Sequence, residues 1–300
     1  MMDDYILSLI GNIALLSMLA VSVYLIRLAG ELSFGQQGFF GIGAYTAALA
    51  TTGYGLSPLM AAIAVIAFGA CVGFILAMIT IPLRGLMFSL STIAFGEAVR
   101  TGLGLLYLDP DGSGPRTGPS GVEGYGNIRF IFDSGLGLSG ATSIVVTALL
   151  LLLALIIFME RTLWGVRLRA TGQDPELAEQ LGLRPDVIKI VIIAISGSLA
   201  ALAGGMFAHF TTFIEPANFS VMLGIHALAY VMIGGLGHVA GVLIGVGLDV
   251  LVFDALRSLS EYRMILFGGG VALLLRYRPQ GILDISAVHK IKMALRGSKL

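Results

Sequence analysis

The chain has 300 residues, 57% hydrophobic and only 12% charged, with a formal net charge of zero and a mean hydropathy of +0.93. Soluble domains carry about 25% charged residues, so half that fraction takes the chain out of the soluble class and into a bilayer. Zero net charge removes any global pull toward nucleic acid or acidic partners.

In chain order, the N-terminus reads MMDDYILSLIGN. Asp3 and Asp4 stand where a secretory signal would carry basic residues, so the first apolar segment, 5–27, is expected to be retained as a span. Further apolar segments fall at 33–52, 57–82, 86–107, 140–159, 187–209, 219–235, 239–256 and 263–275. A spanning helix needs about 20 residues. The segments at 33–52, 219–235 and 239–256 are short and Gly-rich, and are expected to be broken or partly re-entrant. The fold class is therefore an all-α polytopic integral membrane protein, a bundle of 8–10 transmembrane helices forming a single domain over 1–300. Cys71, the one cysteine, lies in an apolar run; it excludes an internal disulfide and a cysteine-built metal site, and reads as a small buried filler.

Basic residues set the orientation. With nine spans and the N-terminus outside, the cytoplasmic side holds Arg27, Arg84, Arg161, Arg167, Arg169, Arg184, Lys189, Arg276, Arg278, Lys290, Lys292, Arg296 and Lys299. Arg116, Arg129, Arg257 and Arg263 lie outside, and Arg100 lies within a span. This places 161–186 and the tail 276–300 in the cytoplasm. The Pro- and Gly-dense loop 108–139 lies outside, as a loose connector or as a lid or docking surface.

Within 161–186, the stretch RLRATGQDPELAEQLGLRP is charged and punctuated between two apolar runs. Gly172-Gln173 is expected to turn the chain. Asp174 can cap a helix, Pro175 suits its first position, Glu176 complements the dipole and Gly182 suits its end. Leu177 and Leu181 share a face, with Ala178 beside them. About seven residues, roughly 10 Å, cannot be stable alone, so the helix must lean on membrane or on a partner. Arg161, Arg167 and Arg169 suit lipid headgroups. The acidic stretch through Glu176 and Glu179 does not, which favours a protein groove.

Ionisable groups inside spans are costly and usually functional. Glu97 and Arg100, three apart, share a face; they line a path or pin helices. Gln36, Gln37 and Tyr45 offer hydrogen bonds without charge on the Gly-rich second span. Asp249 and Asp254 fall near the outer end of a span, either solvated there or functional, and His226 is expected to hydrogen-bond within the bundle. In GGLGHVAGVLIG, 234–245, Gly237, Gly241 and Gly245 recur every fourth residue, the spacing of close helix packing in lipid. The phosphate-binding pattern G-x-x-x-x-G-K-[ST] does not occur.

Four stretches carry a family resemblance: ERTLWGVRLRATGQDPELAEQLGLRPDVIKIVIIAISGSLAALAGG, LSFGQQGFFGIGAYTAALA at 32–50, GLMFSLSTIAFGEAVRTGL at 85–103 and RPQGIL at 278–283. Together they resemble, in the family's order, the branched-chain amino acid ABC transporter permeases (the LivH/LivM family), more closely the LivM-type subunit. Gly165, Arg167 and Arg169 match the opening of the family's cytoplasmic loop, and Thr171-Gly172-Gln173 departs from its usual charge.

The resemblance implies a bacterial inner-membrane importer subunit that is not itself an enzyme and binds no cofactor or metal. ATP and Mg would be used by two separate ATP-binding cassette subunits. A second homologous permease subunit and a soluble substrate-binding protein would complete the assembly, in membrane lipid and without nucleic acid. Asp174, Pro175, Glu176, Leu177, Ala178, Glu179, Leu181 and Gly182 would couple to the ATPase. Gln36, Gln37, Tyr45, Glu97 and Arg100 would lie on the translocation path. Branched-chain or other hydrophobic amino acids are the implied cargo, urea or short amides the alternative, and an ion-coupled secondary transporter the rival from another class.

Overall fold

A computed structural model describes residues 2–108, 118–129, 135, 137–255, 263–278 and 281–283. Its helices are α1 (Met2–Leu28), α2 (Gln36–Ala48), α3 (Pro58–Thr80), α4 (Leu86–Leu105), α5 (Gly137–Arg161), α6 (Leu163–Gln173), α7 (Pro175–Gln180), α8 (Pro185–Thr211), α9 (Val221–Gly234), α10 (Ala240–Ala255) and α11 (Arg263–Tyr277). Among the described residues, the extended pairings are two isolated bridges, Tyr107–Ser120 and Tyr125–Ile214. This is an all-α polytopic membrane protein.

Each apolar segment of the sequence falls on one of these helices. α1, α3, α5 and α8 are long and apolar enough to cross a membrane by themselves. α2, α9 and α10 have 13, 14 and 16 residues. At 1.5 Å per residue they reach only about 20–24 Å, less than the hydrocarbon thickness. α2 is prolonged by one wide π turn, Leu49–Gly53. There the Thr51 and Thr52 hydroxyls donate to Ala47 and Ala48 carbonyls at 2.9 and 2.7 Å, satisfying groups that the altered ladder releases.

α1, α2 and α8 form the centre. No residue of α2 is exposed; in α1 and α8, 56% of the most apolar stretch is buried, against 28% for α3 and 33% for α5. α8 can be central because its SGSLAALAGG run carries almost no side-chain bulk. A Cβ on Gly204 would land on the Phe40 carbonyl of α2, and one on Gly43 of α2 on the Ala201 carbonyl of α8. Such backbone contact supplies dispersion that lipid cannot replace. The α9–α10 hairpin uses the same device: Gly241 meets the Gly234 carbonyl and Gly245 the Tyr230 carbonyl. Gly237 lies in the turn, where its N–H donates to Leu283 at 2.9 Å, so the four-residue spacing serves packing at two of its three positions.

Cys71 is exposed on α3 rather than buried; it lies on the outward side of a peripheral helix. Part of the loop 108–139 is firmly tied. Tyr125 exchanges backbone hydrogen bonds with Ile214 at 2.7 and 2.9 Å, and its hydroxyl pairs with Thr52 at the end of α2. Burial raises the pKa of that phenol above its ordinary value. The loop's middle and most of the tail 276–300 lie outside the described residues.

Candidate functional site at the basic end of the bundle

α5 ends at Arg161, and α6 starts two residues later. Gly165 permits this tight reversal, because a Cβ there would sit 2.5 Å from the Glu160 Cα. α6 runs through Thr171, Gly172 and Gln173, so the expected turn at Gly172-Gln173 is helix. Gly172 is needed for another reason: a Cβ on it would strike the Leu28 carbonyl at the end of α1. The turn falls at Asp174, whose φ of −149° and ψ of 96° leave the helical region.

α7 is built as its sequence dictates, though with six residues. The Asp174 carboxylate accepts the Leu177 N–H at 3.0 Å, and Pro175 occupies the first turn. At the other end, the Leu183 N–H donates to the Ala178 carbonyl at 3.0 Å and the Gly182 N–H to Glu179 at 2.9 Å. With Gly182 at a φ of +81°, these two bonds form the left-handed C-terminal stop that favours glycine. Ala178 is buried, while Leu177 and Leu181 are 52% and 72% exposed. Glu176 and Glu179 are exposed as well. The result is an apolar pair framed by carboxylates and projecting from the bundle.

Two ionic junctions fasten the helices that flank α7, one on α6 and one on α8, and neither was assigned from the sequence. At the first, the Tyr24 hydroxyl of α1 donates to Glu160 Oε1 at 2.6 Å. Arg169 lies 3.3 Å from Glu160 Oε2 and donates to the Leu236 carbonyl between α9 and α10 at 3.3 Å. Arg169 therefore turns inward, not to a headgroup surface; Arg161 and Arg167 are exposed. At the second, Lys189 of α8 pairs with Glu31 at 2.8 Å. Lys189 also donates to the Leu83 carbonyl at 2.5 Å, and its ammonium sits 4.5 Å above the Phe88 ring centre. Glu31 Oε2 accepts the Gly85 N–H at 3.1 Å. The available signal was a charge at the edge of an apolar run, but its partner is 158 residues away.

The path candidates divide. Gln36, Gln37 and Tyr45 are fully or almost fully buried. Gln36 accepts from Ser22 of α1 at 3.0 Å. Gln37 points between α4 and α9, and its amide occupies the space that Cβ atoms on Gly96 and Gly224 would take. Neither polar atom of Gln37 has a hydrogen-bond partner. Tyr45 packs edge-on to Phe219, 6.1 Å between ring centres. Glu97 and Arg100 are ion-paired at 2.7 Å with side chains 34% and 38% exposed. Glu97 also accepts the Val221 N–H at 3.2 Å, which caps the otherwise uncapped start of α9. The structure thus brings Gln37 and Glu97 to one α2–α4–α9 junction and leaves Gln36 and Tyr45 on other contacts.

Asp249 is buried, not at a solvated outer edge. It accepts the Tyr230 hydroxyl at 2.6 Å, with His226 Nδ1 3.8 Å away. The Asp254 side chain lies outside the described residues.

Comparison with known proteins gives a consistent picture. A family model described as "Branched-chain amino acid transport system / permease component" matches residues 5–275. The high-affinity branched-chain amino acid transport system permease protein LivM of Salmonella typhimurium is 30% identical over 289 residues, covering 87% of this chain and 65% of LivM. The chain thus spans just under two-thirds of that relative's length. LivH of the same organism is 32% identical over 149 residues, 49% of this chain and 48% of LivH. A probable branched-chain amino acid transport permease protein LivH of Methanocaldococcus jannaschii is 25% identical over 243 residues, 79% of this chain and 74% of its own. No solved structure matches the chain.

Proposed function

Because this chain belongs to the branched-chain amino acid transport permease family, we propose that it is one membrane-spanning subunit of an ATP-driven importer. It would carry branched-chain or other hydrophobic amino acids handed over by a soluble binding protein, across a bacterial inner membrane. Two ATP-binding cassette subunits supply the hydrolysis, with their own ATP and Mg, and a second homologous permease completes the pore. The N-terminus lies outside; 161–186 and the tail are cytoplasmic. The relatives' names support the cargo class.

One observation in the chain's own structure carries the coupling role. α7 is capped at both ends, yet it presents Leu177 and Leu181 to the exterior between Glu176 and Glu179. Six residues stabilise themselves poorly, and an exposed apolar pair in an acidic frame suits a groove with basic walls better than an anionic lipid surface. Asp174, Pro175, Glu176, Leu177, Ala178, Glu179, Leu181 and Gly182 form this peg. The translocation path runs by Gln37 and Glu97, at the junction of α2, α4 and α9, with Gln36, Tyr45 and Arg100 supporting it. A carrier that receives cargo from a binding protein must release it, and a path with few strong polar groups suits release.

The test is reconstitution of the permease pair with the ATPase and binding-protein subunits, comparing uptake of leucine with that of urea. Uptake of leucine that requires ATP and the binding protein is expected. Uptake driven by an ion gradient without ATPase subunits would replace this reading with a secondary transporter, and preference for urea would change the cargo.

A further inference from the structure

Between α1 and α2 the chain runs from Ala29 to Gly35 without helical structure. It turns back into the protein, so that Gln36, the first residue of α2, meets Ser22 well inside the end of α1 at Leu28. This strap is touched by the helices on both sides of α7. At the α6 end, Gly30 and Gly172 meet backbone to backbone: a Cβ on Gly30 would lie 2.5 Å from the Gly172 carbonyl oxygen. At the α8 end, Lys189 holds Glu31 in the buried ion pair, both side chains 11% exposed. Beyond Glu31 the strap follows α4. The Ser89 hydroxyl donates to the Leu32 carbonyl at 2.8 Å, and the Phe34 N–H donates to Thr92 at 3.1 Å. It ends at Gln36 and Gln37, where the Gln37 amide is wedged between Gly96 and Gly224.

We infer that the strap Ala29–Gly35 transmits movement of the α6–α7 element to the start of α2, and that Glu31 and Lys189 are the positioning residues that hold it to the drive. This rests on the coupling role proposed above and extends it to a route. A segment without its own hydrogen-bond ladder has soft backbone dihedrals, and would absorb a displacement if held at one end only. Held at Gly30 by α6 and at Glu31 by α8, it moves with both. Its far end is the first turn of α2, so the displacement arrives at the α2–α4–α9 junction. A buried ion pair is often no more stabilising than an apolar pair of the same volume. Its contribution here is registration: one carboxylate joins the strap to α8 and to the Gly85 amide of the α3–α4 turn.

The experiment uses the complete importer in vesicles and reads three quantities: ATPase co-purification, basal ATP hydrolysis, and cargo imported per ATP. The double variant Glu31→Gln/Lys189→Met removes both charges without stranding either. It should keep co-purification and basal hydrolysis at the wild-type level while import per ATP falls about tenfold, an ordinary size for coupling between sites. Lys189→Arg, which keeps the cation, should retain most of the ratio. Gly172→Ala, whose methyl would strike Leu28 and Gly30, should lower the ratio with the ion pair intact. Unchanged import per ATP in the double variant, or in Gly172→Ala should the double variant not insert, overturns the inference. A wild-type chain that retains no ATPase subunit sinks the importer reading and this route with it, so the two failures are distinguishable.

Discussion

Lys189 shows how much a single buried charge constrains. Its ammonium has a carboxylate, a carbonyl oxygen and an aromatic face as neighbours, and Glu31 has the ammonium and a backbone N–H. Removing one partner leaves the other ionised in a dry site, which costs about 3–5 kcal/mol. Lys189→Ala is therefore expected to lower the Tm of the detergent-solubilised protein sharply, and Glu31→Gln/Lys189→Met to recover most of the loss; a thermal aggregation assay checks both. Equal loss in the two variants would show that a stranded Glu31 carboxylate is not what destabilises Lys189→Ala. Gly204 illustrates the opposite constraint. Its Cβ would land on a backbone carbonyl of α2, so Gly204→Val must separate α2 from α8, and expression in the membrane should fall.

Among the elements, α7 depends most on its ends. The Asp174 cap contributes about 1 kcal/mol, a large share for six residues. Asp174→Ala should weaken ATPase binding by roughly tenfold or less. Leu177→Ser/Leu181→Ser removes the face itself, and burying a leucine is worth about 1.5–3 kcal/mol. That pair should abolish co-purification while the chain still inserts, since neither side chain contributes to the buried core. Retention of the ATPases would show that the peg is not gripped through this face. α4 and α9 present a different case: Glu97 caps α9 from across the bundle, so Glu97→Gln keeps an acceptor oxygen and is expected to lose transport only if charge matters to the path.

At the scale of the whole molecule, the central helices α1, α2 and α8 are flanked by α3, α4 and α5, which face outward with large apolar side chains. This suits a chain surrounded by lipid. Orientation is testable in a Cys71→Ser background with single cysteines at two exposed positions, Glu176 and Val122. A membrane-impermeant thiol reagent should label position 176 only in inverted vesicles and position 122 only in right-side-out ones. The reverse pattern would invert the topology and remove α7 from any cytoplasmic ATPase.

The amino-acid sequence by itself determined the solvent, the helical class, the position of every apolar segment and the local form of α7. Each follows from short-range rules: hydropathy over some 20 residues, caps at fixed offsets, glycine at a left-handed stop. It also marked Glu97, Arg100 and Gln37 as unusual, because polar groups in apolar runs are conspicuous without knowing their neighbours. Only the tertiary structure decided that Arg169 faces Glu160 and Tyr24, that Lys189 finds Glu31, that Asp249 is buried, that Cys71 is not, and that Gly172 serves a contact rather than a turn. Glu31 and Lys189 are 158 residues apart in the chain, Arg169 meets Glu160 only because the chain reverses after Arg161, and which of two faces a helix buries is set by its neighbours, not by its own period.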